Sequence, residues 1–144
     1  MLEVQFYDNV PDEHLRFAVI ISKTDGKWVF CKHRERTTWE VPGGRREPGE
    51  DILETAKREL QEETGATDFV IRPVCVYSVK GKTRADQNIE EETFGMLYTA
   101  EVSSFGELCC EIERIHISDT LPDAWTYPLI QPKLLQEAER RGCL

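Results

Sequence analysis

The chain has 144 residues, 27 acidic against 18 basic, and a formal net charge of −9. At that length one core burying roughly two thirds of the unfolded surface is expected, so residues 1–144 read as a single domain. The acidic balance argues against non-specific binding to DNA, RNA or an anionic membrane, which rests on a basic surface, but not against a small phosphorylated ligand whose charge is met locally.

In chain order, residues 2–7 alternate as an edge strand that Asn9, Pro11 and Asp12 break. Residues 15–22 (LRFAVIIS) are β-branched and apolar, which predicts a central strand, and Thr24, Asp25 and Gly26 make a hairpin turn into a second strand over 27–33. Residues 34–38 are polar and cationic and read as a substrate loop. They lead through Trp39, Glu40 and Val41 into the glycine turn Pro42-Gly43-Gly44-Arg45. Without a Cβ, Gly43 and Gly44 let backbone groups approach a ligand closely, and Pro48-Gly49 supplies a second turn.

The helix that follows is bounded by its own chemistry. Asp51 is the N-cap, Glu54 completes a capping box and pairs with Arg58 four residues on, and Gly65 stops the helix. At about 100° per residue, Leu53, Ala56, Leu60 and Thr64 share a buried stripe, while Glu59, Glu62 and Glu63 fan out along its flank. A glycine turn beside three carboxylates is an oxygen-lined setting for a hard divalent cation.

Strands are predicted over residues 69–80 and 93–102, separated by a polar excursion over 81–91 and with Gly95 at a bulge. Residues 103–108 read as a turn, 111–117 as a short strand, and 130–141 as a closing amphipathic helix before Gly142. No apolar run reaches ~18 residues and no amino-terminal signal appears, which predicts a soluble, cytoplasmic protein. The five cysteines, Cys31, Cys75, Cys109, Cys110 and Cys143, show no C-x-x-C spacing and read as free thiols of a reducing compartment, with Cys109 and Cys110 in packing roles.

Gly44, five residues, Glu50, seven residues, then Arg58-Glu59-Leu60-x-Glu62-Glu63-x-Gly65-Ala66 resembles the signature box of the Nudix hydrolases. Only Ala66 is smaller than the aliphatic residue usual at the last position. The resemblance implies an α/β/α sandwich with a mixed sheet, and cleavage of a diphosphate linkage by a water activated by Mg²⁺, with Mn²⁺ as an alternative. Carried over by position, Glu59, Glu62 and Glu63 are the metal-binding carboxylates, with the Gly43 carbonyl as a further ligand. Arg58 orients a glutamate, Glu50 supports it, and Glu59 is the general base, a role that other members of the family fill from a distant loop. Arg45 and Gly44 meet the substrate, and His33 touches a phosphate or faces solvent. Glu111 is the extra metal ligand outside the box, with Glu90, Glu91, Glu92 and Glu113 as alternatives and plain surface charge as the simplest reading of all five.

Trp39 is a candidate for stacking on a base or for the core, and His14 and His116 are structural. The implied partner is a small nucleotide and neither a nucleic-acid duplex nor a membrane, and a homodimer is left open. Among substrates, a nucleoside triphosphate, with an oxidised purine preferred, cleaved to monophosphate and pyrophosphate comes first, as in the MutT-like members. ADP-ribose, dinucleoside polyphosphates, triphosphate-ended RNA and a non-hydrolysing nucleotide sensor are the alternatives.

Overall fold

The computed structural model describes residues 2–81, 91–108 and 111–144. Its elements are β1 (Glu3–Tyr7), a 3-10 turn (Asp12–His14), β2 (Leu15–Thr24), β3 (Lys27–His33), β4 (Gly43–Arg45), α1 (Ile52–Thr64), β5 (Ala66–Lys80), β6 (Glu92–Phe105), β7 (Ile112–Ser118) and α2 (Gln131–Arg140). The strands form one seven-stranded sheet in the order β1-β5-β6-β2-β3-β7, with β4 also paired to β2. Among the paired strands of the described residues only β2 with β6 is a parallel pair, so the sheet is mixed, as the α/β reading requires.

Strand β2 is apolar from Phe17 to Ile21 because both its faces are covered there. Ala18 and Ile20 pack with Ala56 and Leu60 of α1 and with Tyr98, Ala100 and Val102 of β6. Val19 and Ile21 face the other way, into a cluster with Tyr77, Leu97 and the α2 residues Leu134, Leu135 and Ala138. Each helix thus buries one apolar stripe on an opposite side of the sheet, the two-layer solution on both faces that a helix and a sheet demand. The hairpin forms as predicted: Asp25 and Gly26 have φ of 49° and 77°, the left-handed pair that a two-residue turn matched to strand twist needs.

Helix α1 keeps its predicted ends. Asp51 accepts from the Glu54 amide in a reciprocal capping box, and Gly65 closes the helix at φ 77° with its N–H on the Gln61 carbonyl. A side chain at residue 65 would also lie 2.8 Å from the Gly106 carbonyl.

Several predicted elements need correction. Strand β6 runs on to Phe105, so residues 103–105 are strand and not turn, and β5 begins at Ala66, directly after the helix stop. Leu53 is 38% exposed and lies outside the buried stripe. Gly95 does stand at a bulge, on its β2 side, but the extra residue belongs to β2: Arg16 lies between Leu15, opposite Phe94, and Phe17, opposite Gly95, while on the β5 side Gly95 pairs regularly with Tyr77. The glycine is needed because a Cβ there would stand 2.3 Å from the Phe17 ring. Most of the predicted excursion, residues 82–90 with Glu90, lies outside the described residues, as do Cys109 and Cys110. Cys31 and Cys75 are buried free thiols and Cys143 an exposed one. Among the described residues no helix is long and apolar enough to cross a membrane.

Candidate active site

The site lies in a fork of the sheet. Strands β2 and β3 pair only near their hairpin, over Ser22 to Thr24 and Lys27 to Val29. Beyond that, β3 continues alongside β7, and the chain from Glu40 to Arg45 enters the gap. Glu40 exchanges both backbone hydrogen bonds with Cys31 at 2.8 and 3.1 Å, and β4 then pairs with β2 over Gly43 to Arg45. The Ile20 amide donates to the Pro42 carbonyl and the Arg46 amide to the Arg16 carbonyl, so even-numbered residues spend their backbone groups on β2. By strand alternation Gly43 and Arg45 turn theirs away from it. There the Gly43 N–H donates to Glu63 Oε1 at 2.7 Å, and Arg58 Nη2 donates to the Arg45 carbonyl at 2.9 Å. The Gly43 carbonyl shares this side.

Helix α1 meets that edge with a second stripe. Thr55, Glu59 and Glu63 are buried beside Ala56, Leu60 and Thr64, so the helix covers the sheet with one row and β4 with the next. Gly44 makes this approach possible. A Cβ on it would lie 2.3 to 2.6 Å from the Glu59 carboxyl group.

Arg58 binds the acids together. It donates to Glu50 Oε2 through Nε at 2.7 Å, to Glu59 Oε1 through Nη1 at 2.7 Å, and to Glu62 Oε2 at 3.4 Å. The guanidinium, with the Glu47 backbone and the Thr55 hydroxyl behind it, holds Glu50 down at about 2. Glu59 goes the other way: burial first, then the charge of Glu63, pushes it up to about 7 against the pull of Arg58. Glu63 has a second partner in His33, whose Nε2 lies 3.1 Å from Glu63 Oε2. This contact raises the imidazole above its ordinary value, against its burial. Glu111, mostly exposed, comes within 3.7 Å of His33 Nδ1.

A cavity of about 520 Å³ opens on the α2 side of β4. Its wall includes Gly43, Gly44, Arg45, Phe17, Tyr77 and Glu40. The fold therefore brings Glu50, Arg58, Glu59, Glu62 and Glu63 together on one side of the glycine turn and turns Gly43, Gly44 and Arg45 towards the cavity as well. His33 is not in the cavity wall; it sits on the carboxylates. Glu91 lines the cavity, whereas Glu92 bonds Tyr7 and Ser78, and Glu113 pairs with Lys32. Trp39 lies outside the cavity wall, packed against the core and the His116 ring, and His14 stacks on Phe94.

Sequence reasoning passed over two groups. Glu40 is 4% exposed, with Oε1 2.8 Å from Arg36 Nη1 and Oε2 3.7 Å from His33 Nε2. Burial raises its pKa, opposed by His33 and Arg36. Gln131 at the start of α2 accepts from the Val41 amide at 2.9 Å and fixes the cavity floor. The signal for Glu40 was present, since a lone acid between Trp39 and Val41 in an extended stretch has to find a partner.

The donors suit a hard cation. Two buried carboxylates, a third at the rim, a backbone carbonyl and a cradle that any Cβ would fill are oxygen chemistry. Among the described residues no three acidic, His or Cys side chains already surround one point, because Arg58 draws Glu59 and Glu62 while Gly43 and His33 hold Glu63. The raised pKa of Glu59 sets a sign for stability. Its contribution is whole below the ordinary value of 4.5 and is lost as pH rises through about 7. Metal-free wild type should therefore lose melting temperature relative to Glu59→Gln between those values. At pH 8, Mg²⁺ at ~10 times its dissociation constant should return about 1.4 kcal/mol, some 4 °C, to wild type and less to the variant. Parallel pH profiles with equal metal responses would show that Glu59 neither carries this pH-dependent contribution nor holds the metal.

A mixed sheet between two helices, carrying a glycine turn against a glutamate-lined helix, defines an α/β/α sandwich with its candidate site at the fork of the sheet. The family model of the NUDIX domain matches residues 12–129, and the chain belongs to the Nudix family. It is 34% identical over 83 residues to a putative 8-oxo-dGTP diphosphatase, YtkD, of Bacillus subtilis, over 58% of this chain and 52% of the relative. It is 46% identical over 54 residues to an ADP-ribose pyrophosphatase of the same organism, over 35% of this chain and 29% of the relative. These matches thus span about half or less of the curated relatives' own lengths. The fold is similar to a crystal structure of a mutant of the Bacillus subtilis pyrophosphohydrolase BsRppH, with a TM-score of 0.77 at 24% identity over 98% of this chain and 91% of that one.

Proposed function

We propose that the protein is a divalent-metal-dependent hydrolase of phosphoanhydride bonds in nucleotides, and that it converts a nucleoside triphosphate, preferentially one with an oxidised purine, into the monophosphate and pyrophosphate. The observation that carries this reading is the placement of buried Glu59 and Glu63 against Gly43 and Gly44, the two glycines also walling a cavity whose volume of about 520 Å³ is within the range of small-molecule sites.

Glu59, Glu62 and Glu63 with the Gly43 carbonyl would hold Mg²⁺ or Mn²⁺, which when bound neutralises phosphate charge and acidifies a water. Glu59 accepts the proton of the attacking water, and Arg58, anchored on Glu50 and the Arg45 carbonyl, keeps its carboxyl aimed. Glu111, exposed beside His33, is the further ligand from outside the box. Arg45, in the cavity wall, meets a substrate phosphate, and the rings of Phe17 and Tyr77 offer apolar surface to a base. The names of the relatives support the substrate class at two levels: a nucleotide diphosphate linkage is common to them, and the first is named for an oxidised purine triphosphate.

A product-resolved panel decides. The triphosphate of 8-oxo-deoxyguanosine should turn over faster than its unoxidised counterpart and release pyrophosphate. Faster cleavage of ADP-ribose or of a dinucleoside polyphosphate would move the protein to another subgroup, and binding without turnover of any of them would make it a nucleotide sensor.

A further inference from the structure

We propose that His33 is a positioning residue for Glu63, and that Glu40, itself anchored by Arg36, sets the imidazole in place. The proposal rests on the functional reading above, since it concerns how a metal-binding carboxylate is aimed. Three elements meet on Glu63. Its backbone belongs to α1, its Oε1 accepts from the Gly43 N–H of β4 at 2.7 Å, and its Oε2 is 3.1 Å from His33 Nε2 of β3. Each carboxylate oxygen carries two lone pairs, so one donor on each still leaves a lone pair on both for a cation. Without His33 the side chain is pinned at one oxygen only and can pivot about the Gly43 amide.

The imidazole is fixed in turn. Its side chain is 16% exposed, and Glu40, at 6%, lies 3.7 Å from the same Nε2. Glu40 cannot drift, because its backbone is bonded to Cys31 in both directions and its Oε1 is bonded to Arg36 at 2.8 Å. Two nearly buried carboxylates on opposite elements would repel each other across this gap, and His33 is the donor between them. Partners behind a metal ligand that fix its orientation typically govern metal affinity by 10–100-fold.

The test is Mn²⁺ binding to the substrate-free protein, followed by electron paramagnetic resonance, together with kcat and KM for the triphosphate. His33→Ala should weaken Mn²⁺ binding by ~10-fold or more, and Glu40→Gln by a few-fold, since its amide still accepts from Arg36 but attracts the imidazole less. His33→Gln should recover most of the affinity, because its terminal amide can donate to Glu63 from about where Nε2 stands. The loss should appear in kcat, with KM changed by less than about 2-fold. If His33→Ala does not fold, His33→Asn, whose amide is too short to reach Glu63, replaces it in the comparison. Wild-type affinity in His33→Ala, or His33→Gln binding no better than the variant that lacks the donor, overturns the positioning role alone. Failure of wild type to bind Mn²⁺ overturns both this role and the functional reading.

Discussion

Replacing Glu63 by Gln should lower triphosphate hydrolysis by at least ~10²-fold, about 2.7 kcal/mol of barrier, while the fold survives. Glutamine is nearly isosteric with glutamate, so its amide oxygen can still accept from the Gly43 N–H. What disappears is the negative charge and, on the side of His33, an acceptor. Around Glu63 the helix contacts of Leu60 and Thr64, both fully buried, do not depend on that charge. A melting temperature close to wild type is therefore expected alongside the lost activity, and the two measurements together separate a missing ligand from a damaged core. Near-normal turnover in Glu63→Gln would remove Glu63 from the mechanism.

The glycine pair should give two different failures from the same added methyl group. In Gly44→Ala the new Cβ meets the Glu59 carboxyl group at 2.3 to 2.6 Å. That group is the far end of a flexible side chain, so it swings away, and the cost falls on catalysis: a displacement of ~1 Å in a reacting group is worth on the order of 10²-fold. In Gly43→Ala the new Cβ meets the Ala18 carbonyl at 2.8 Å and the Val19 Cγ2 at 2.9 Å, and a backbone carbonyl in the middle of β2 cannot give way. Overpacking of that kind costs ~1–3 kcal/mol of stability. Melting curves and turnover of the two variants check the contrast. A Gly44→Ala protein with wild-type turnover would mean that Glu59 works from elsewhere.

The box was legible from the chain because its physics is local. The cap at Asp51, the stop at Gly65 and the arc of three glutamates all follow from helical geometry over fourteen residues or so, and the central strand shows in the unbroken apolar run of β2. The stripe containing Leu53 was misplaced because helical spacing fixes which residues share a face, but not which face meets the sheet. Thr55, Glu59 and Glu63 are buried by β4, and β4 could not be foreseen: Gly-Gly-Arg has no strand propensity, and it pairs only because β3 leaves the edge of β2 free. The meeting of His33 and Glu40 is hidden for the same reason, since it depends on the Cys31 and Glu40 bridge that the fork creates. Strand β6 outran its predicted end because it lies beside β5, where pairing with Ala66 and Asp68 holds residues 104 and 105 extended, a long-range effect that overrides the polar Ser103 and Ser104.

Metal-dependent cleavage of a phosphoanhydride is the central claim, and a ³¹P magnetic resonance time course of wild type with a nucleoside triphosphate tests it most directly, with Mg²⁺ and again with excess chelator. Monophosphate and pyrophosphate signals should grow with Mg²⁺ and be absent under chelation. Equal rates in the two samples, or orthophosphate with the diphosphate as the products, would contradict it.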